Sequence, residues 1–377
     1  MIIWQAARAE SVAARVAVAG DFLPAGDLTL PRGGWGEAAR ALAPHFADCA
    51  LGFANLECSL DSAGLPPRPL TGLGQTVSAP SESLSYLRAL GCTIVGSANN
   101  HSFDFGPTGA ARTRVAIARA GLVPLGTTPT LRDCPDVFIW QGPAGIRVGF
   151  WAAAIASRDL ATRTSPGVEP ATVARAQHAI REMKLRGVTT SIALLHAGCL
   201  RTSRCDPAEA ECMDRIASCG FMLVAASHSH RISGARVVGA EDSVPSFCFY
   251  GLGSIVSGFS TNALEREGLI VVACLTARGS VASIELRPVR LNQTGFGSVP
   301  CPQDAADILN RFRGLSEEIR AGSAAHLFYR DVGRGLVRLY VRDVRAAMRQ
   351  SGIRGLASKV GRMRLRHLQR LVRAVMP

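Results

Sequence analysis

Short apolar runs of four to ten residues alternate along the chain with stretches whose apolar positions recur every three or four residues. The first pattern is that of buried strands and the second that of helices packed on one face. Strands are predicted at 15–20, 50–54, 92–95, 146–155, 190–195, 221–226, 247–250, 269–275 and 281–289. Helices are predicted at 35–47, at 81–90 with Ser81 or Ser83 as N-cap, and at 107–120. Two more fall at 170–186, with Val173, Ala176, Ile180 and Met183 on one face, and at 206–218, with Asp206 as N-cap and Pro207 in first position. The Gly/Pro-rich stretch 61–80 has no period and reads as a loop. The order predicts an α/β domain over 1–295, followed by a helical C-terminal region over 296–377. From residue 330 onward Val337, Tyr340, Val341, Val344, Met348, Leu356, Val360, Met363, Leu368, Leu371 and Val375 are spaced mostly as one helix face. Gly352, Gly355 and Gly361 divide that face into two helices.

Charge changes the picture only at that end. The net charge of +13 gives an isoelectric point near 9.8, a value that by itself suggests a nucleic-acid binder. Thirteen Lys/Arg against Asp331 and Asp343 put +11 of it in residues 330–377, so the globular part is nearly neutral and nucleic acid is not expected as a partner. A basic amphipathic tail suits an anionic membrane surface, a polyanion or a polymer-synthesis subunit, and equally a helix packed on the domain with a solvated arginine face. Hydrophobic residues make up 47% of the 377, enough for a large core. The eleven cysteines form no C-x-x-C pair, which argues against a disulfide framework or a zinc ribbon and fits a reducing compartment. No signal-peptide pattern opens the chain, and the uncharged run 244–264 is broken by Pro245 and glycines. A cytoplasmic protein, peripheral at the inner membrane face, is the expectation.

The candidate chemistry sits where predicted strands end. A residue of metal-ligand type follows a strand five times: Asp21, Glu57, Asn100 with His101, His196, and His228 with His230. Each alone has a plainer reading: a turn cap for Asp21, a solvated acid for Glu57, a satisfied histidine for His196. Together they offer carboxylate, amide and imidazole donors without cysteine. That set suits zinc, manganese, iron or magnesium, and Glu57 can bridge two such ions. Asp104, three residues after His101, can orient its imidazole.

The order Gly20-Asp21, Asn55-Leu56-Glu57, Asn99-Asn100-His101-Ser102-Phe103-Asp104-Phe105-Gly106, His196-Ala197-Gly198, His228-Ser229-His230 and Tyr250-Gly251-Leu252-Gly253 resembles the CapA family. These are poly-γ-glutamate capsule synthesis proteins with the calcineurin-like metallophosphatase fold, and the resemblance covers roughly 16–260. It implies a four-layer αββα sandwich carrying one or two divalent ions, here with the basic helical appendage. Asp21, Glu57 and His230 then look like ligands of one ion, and Glu57, Asn100, His196 and His228 like ligands of the second. His101 is similar to the histidine that protonates a leaving group, with Asp104 behind it. Leu23 stands where the wider superfamily has a histidine, so the first ion is expected to be held more weakly.

Departures cluster beside the ligands. Ala197, Leu200 and Arg201 replace a tryptophan and an acidic-aromatic pair, Phe221-Met222 replaces Ala-Asp, and Ser254 replaces an asparagine. Retained ligands with altered neighbours imply a working metal site and a changed substrate pocket. Arg201, Arg204 and Arg231 flank the ligands and are candidate contacts for an anionic substrate, or surface decoration in an arginine-rich chain. The expected function is a CapA-like, metal-dependent hydrolase acting on a phosphoester or amide bond of an anionic or peptide-like polymer. The rivals are a non-catalytic assembly subunit at the membrane surface and a small-molecule phosphoesterase.

Overall fold

The computed structural model describes residues 1–6, 11–68, 75–155, 157, 159–239 and 245–332. The strands of the two large sheets are β1 (Ile2–Gln5), β2 (Val12–Gly26), β3 (Leu51–Leu56), β4 (Cys92–Gly96), β5 (Val123–Leu125), β6 (Phe138–Gln141) and β7 (Arg147–Ala154). There follow β8 (Thr190–Ala197), β9 (Leu223–His228), β10 (Ala235–Val238), β11 (Ser246–Phe249), β12 (Ser254–Gly258), β13 (Glu267–Thr276), β14 (Val281–Leu291) and β15 (Gly297–Ser298). The α-helices are α1 (Gly34–Ala39), α2 (Leu84–Ala89), α3 (Gly106–Arg119), α4 (Val173–Leu185), α5 (Pro207–Ala217) and α6 (Pro302–Arg320).

A nine-stranded sheet runs β1-β14-β13-β2-β3-β4-β5, with β12 beside β2 and β15 beside β14. Its β2, β3, β4 and β5 are parallel to one another. A six-stranded sheet runs β10-β11-β9-β8-β7-β6, in which β7, β8, β9 and β11 are parallel.

The period-2 alternation of these strands makes the layers. On β2, Val16 and Val18 face the other sheet while Ala17 and Ala19 face the helices. On β7, Val148 and Phe150 face inward while Trp151 and Ala153 turn outward. Strands buried on both faces read as continuous apolar runs, which is why such runs located them in the sequence. The inner layer joins Val16, Val18, Phe53 and Ile94 to Phe150, Ile192, Leu194 and Phe247, with Phe53 and Phe150 edge-to-face at 5.7 Å. Leu42, Tyr86, Leu87 and Ile117 cover the outside of the large sheet. Ala176, Ile180, Met213 and Ile216 on α4 and α5 cover the outside of the small one. The result is the αββα sandwich. Ile308, Phe312 and Leu315 of α6 join the inter-sheet core.

Several boundaries differ from expectation. The helix expected over 35–47 stops at Ala39, and a 3₁₀ turn, Ala43–His45, follows with Pro44 at its start. Proline has no N–H to continue a helical ladder. The helix expected from Ser81 begins as a 3₁₀ turn, and neither Ser81 nor Ser83 caps it through its side chain. Thr172 and Asp206 do cap α4 and α5. β2 runs on past Gly20 to Gly26 because β12 pairs with its far half. β12 itself lies in a Gly/Ser-rich run without a strand signature. The tail face from Val337 onward lies outside the described residues. No described helix is long and apolar enough to cross a membrane.

Phe150 is fully buried between the sheets. Phe150→Ala is expected to cost about 3–5 kcal/mol of unfolding free energy. Urea denaturation should show a lower midpoint at unchanged slope.

Candidate metal centre

Strand register brings the polar strand ends together. Asp21 lies opposite Asn55 on β3 and Ser254 on β12. Glu57 follows the last residue of β3, and the turn after β4 carries Asn100 and His101. In the second sheet His196 pairs with Ser227 and Ala197 with His228, so β8 and β9 present their histidines at one level. Two glycines make the approach possible. A Cβ on Gly20 would lie 2.0 Å from the Gly253 carbonyl oxygen, and Gly253, at φ +66°, runs against the Glu267 carbonyl. The Asp21 N–H donates to that Gly253 carbonyl at 2.9 Å. His228 and His230 adopt φ values of +128° and +55°. Left-handed backbone in non-glycine residues persists only where surrounding contacts impose it, and such positions cluster at functional sites.

Asp21 and Glu57 are buried side by side, 0% and 1% exposed. Asp21 Oδ1 accepts from Asn55 Nδ2 at 2.8 Å, and its Oδ2 accepts from the His228 N–H at 3.1 Å. His230 Nδ1 lies 3.1 Å from Asp21 Oδ2 and 3.6 Å from Glu57 Oε2. Glu57 Oε1 lies 3.3 Å from His228 Nδ1 and 3.5 Å from His196 Nε2. Asn100 Oδ1 is 2.6 Å from His196 Nε2. Two donor groups result, Asp21–Glu57–His230 and Glu57–His196–His228, each with its ligand atoms within 4.8 Å of one another. Glu57 belongs to both.

The electrostatics of the four groups differ. Burial, then the neighbouring Asp21 charge, pushes the Glu57 carboxyl up to about 8. Burial also raises Asp21, but the hydrogen bond and charge of His230 outweigh it and hold the carboxyl below its ordinary value. Burial opposes charge on His230, yet Glu57 and Asp21 bring that imidazole up to about 9. Burial and then His228 drive His196 well below its ordinary range, leaving a neutral ring with a lone pair.

The other expected residues are placed as follows. His101 Nδ1 lies 2.7 Å from Asp104 Oδ2, which also accepts from the Val77 N–H at 2.8 Å. Glu57, Asn100, His101, His228 and His230 line one cleft of about 600 Å³, and Arg201 lines it too. Arg231 is largely buried against Glu265. Arg204 lines a separate cavity, its guanidinium committed to Glu318 at 2.7 Å and to Asp331 at 2.5 Å. Of the three arginines expected at the substrate, it is the one that the fold takes elsewhere: β8 turns away after His196 and α6 supplies its partner. Sequence reasoning missed Asn55, which bonds Asp21, and Asn99, whose Nδ2 donates to the Leu56 carbonyl at 2.6 Å while its Oδ1 accepts from the His101 N–H at 3.0 Å. Both lie inside the family motifs, but an amide serving another residue has no spacing signature.

Residues 15–258 match the family described as bacterial capsule synthesis protein PGA_cap. The chain belongs to that family. It is 24% identical over 254 residues to the capsule biosynthesis protein CapA of Bacillus anthracis, covering 66% of this chain and 59% of that one. Among solved structures it is similar to a 5'-nucleotidase precursor from Thermus thermophilus, at 13% identity and a TM-score of 0.46, over 82% of this chain and 59% of that one. The NAD nucleotidase of Haemophilus influenzae matches at 12% identity and a TM-score of 0.44, over 80% of this chain and 56% of that one. The chain thus spans less than two thirds of the length of each. The two sheets of this PGA_cap chain, with helices on both outer faces, form the αββα sandwich that its motifs led one to expect.

The donor set of this PGA_cap site fits a divalent cation. Glu57 Oε2 is buried and receives no hydrogen bond, an arrangement that costs free energy unless a cation faces the oxygen. A cation would also offset the burial and the Asp21 repulsion that raise the Glu57 carboxyl. Binding must then expel protons held at Glu57 up to about 8 and at His230 up to about 9. At pH 7, Mn²⁺ binding is expected to release at least about one proton per chain, and affinity should fall as pH drops. Calorimetry in buffers of different ionisation heat checks this; a buffer-independent enthalpy would contradict it.

Proposed function

We propose that the chain is a divalent-metal-dependent hydrolase that makes or trims an anionic or peptide-like polymer, cutting a phosphoester or amide bond. The observation that carries this reading is Glu57, shared by two donor groups in a cleft that also holds His101. Asp21, Glu57 and His230 would hold one ion, and Glu57, Asn100, His196 and His228 the other. Leu23, where the wider superfamily offers a ligand, leaves the first set with three side chains and the weaker grip. Manganese, zinc, iron and magnesium all suit the donors. When bound, such ions supply Lewis-acid chemistry, bringing the pKa of water towards neutrality and polarising the oxygen under attack.

The chain's own part is proton transfer and orientation. With Nδ1 of His101 against Asp104, the ring is fixed in one orientation, and Nε2 is left to hold the proton given to the departing oxygen or nitrogen. Asn99 fixes the His101 backbone, and Ser59 Oγ donates to the His101 carbonyl at 3.0 Å, so both ends of the turn are held. Leu23, Val77 and Phe259 in the cleft wall displace water from around the donors.

His101→Ala is expected to lower kcat by about 10²- to 10⁴-fold at unchanged metal content. Hydrolysis of p-nitrophenyl phosphate and of γ-glutamyl-p-nitroanilide by Mn²⁺-loaded protein measures it. Fully loaded wild-type protein that turns over neither substrate, nor a γ-glutamyl oligomer, would favour the non-catalytic assembly subunit instead.

The +11 segment 330–377 is read as the contact to an anionic membrane face, a polyanion or a polymer-synthesis subunit. Its removal should abolish sedimentation with anionic liposomes. Unchanged sedimentation would exclude the membrane role.

A further inference from the structure

Glu265 is a buried carboxylate, 2% exposed, in the cleft wall and outside both donor groups. It lies in the 3₁₀ turn Ala263–Arg266 just before β13. Its Oε2 accepts from the N–H and Oγ1 of Thr261, both at 2.9 Å, and its Oε1 accepts from Asn262 Nδ2 at 2.8 Å. Asn262 Oδ1 in turn caps the Leu264 and Glu265 N–H groups at 3.1 and 3.2 Å. This loop is therefore built around the carboxylate.

Two guanidiniums converge on the same Oε1, Arg231 Nη2 at 3.4 Å and Arg201 Nε at 3.6 Å. One carboxylate faces two guanidiniums, so Glu265 alone does not neutralise both. The two arginines differ in exposure. The Arg231 side chain is 19% exposed and serves as the inner brace, with Nε buried and without a hydrogen-bond partner. Arg201 is 53% exposed and lines the cleft. Its backbone is left-handed, at φ +60°, and its N–H donates at 2.9 Å to the carbonyl of Ser229, the residue between His228 and His230. Arg201 is thus tied by its main chain to the histidine loop and by its side chain to Glu265. Leu200 and Phe259 give the adjoining wall an apolar surface.

We propose that Arg201, positioned by Glu265, recognises a second anionic group of the substrate, a carboxylate or phosphate displaced from the group that faces Asp21, Glu57 and the histidines. This rests on the hydrolase reading only in taking the donor groups as the place of the first anionic group. The substrate class is a molecule with two oxyanion groups joined by a short apolar spacer that lies along Leu200 and Phe259. A guanidinium held at one edge by a carboxylate keeps its other N–H groups for a ligand. Arg231, buried as the brace, sets the height of Glu265 and makes no such contact.

The test is calorimetric binding of glutarate and of butyrate to the full chain at stoichiometric Mn²⁺. The two share one carboxylate and differ in the second. Wild-type protein should prefer glutarate by roughly ten-fold, the low end for a charged hydrogen bond on a half-exposed group. Arg201→Gln should bring the ratio to about one with butyrate affinity and metal content unchanged, and Arg201→Lys should restore part of it. Glu265→Gln should lower the ratio at unchanged metal content. If that buried variant loses its fold, the exposed Arg201 variants still decide. No glutarate preference in the wild-type protein, or a preference that survives Arg201→Gln, overturns the proposal. A preference lost in Arg201→Gln in a protein that hydrolyses nothing would sink the hydrolase reading and keep this one.

Discussion

Two carboxylates buried next to each other, Asp21 and Glu57, are the constraint on which the site depends. Taking one such charge out of water costs several kcal/mol, and a second beside it adds repulsion. The fold meets this unequally. Asp21 receives the Asn55 amide, a backbone N–H and the His230 imidazole, and stays ionised. Glu57 has imidazoles near both oxygens but no hydrogen bond to Oε2, and burial pushes its carboxyl up to about 8. An arrangement that leaves one acid unsatisfied among three histidines is poor as structure and good as a cation cradle.

Much of the surrounding geometry follows from holding that cradle. Gly20 and Gly253 are bare because the two chains pass too closely for a side chain, and that contact sets the depth of Asp21. The left-handed backbone of His228 and His230 turns two histidines from one extended segment onto different carboxylates. The parallel strands of both sheets end at one edge, so residues far apart in sequence meet without a loop having to reach across. Parallel pairing demands burial on both faces, which the αββα layering provides.

The cleft wall is built further out and by different means. It is assembled from the segment after β8, the histidine loop and the turn before β13, and Glu265 is where the three meet. The segment after β8 carries Leu200 and Arg201, while Ser254, at the start of β12, places its Oγ 3.4 Å from His230 Nδ1.

The sequence by itself determined the long apolar strands and the list of candidate donors, because each is written in a local pattern; the layered arrangement was implied by the family resemblance. Double-sided burial makes apolar runs, and polar residues that end several such runs stand out. The Asn100-His101-Asp104 turn was legible for the same reason, since all three lie within five residues. Tertiary structure alone decided the rest. Arg201, Arg204 and Arg231 look alike in sequence. Long-range partners, Glu265 for two of them and Glu318 with Asp331 for the third, send one to the cleft, one beneath it and one to another cavity. β12 and the far half of β2 exist because they pair with each other. Asn55 matters because register sets it opposite Asp21. Such roles depend on contacts between residues tens to hundreds of positions apart, and a local pattern carries no trace of them.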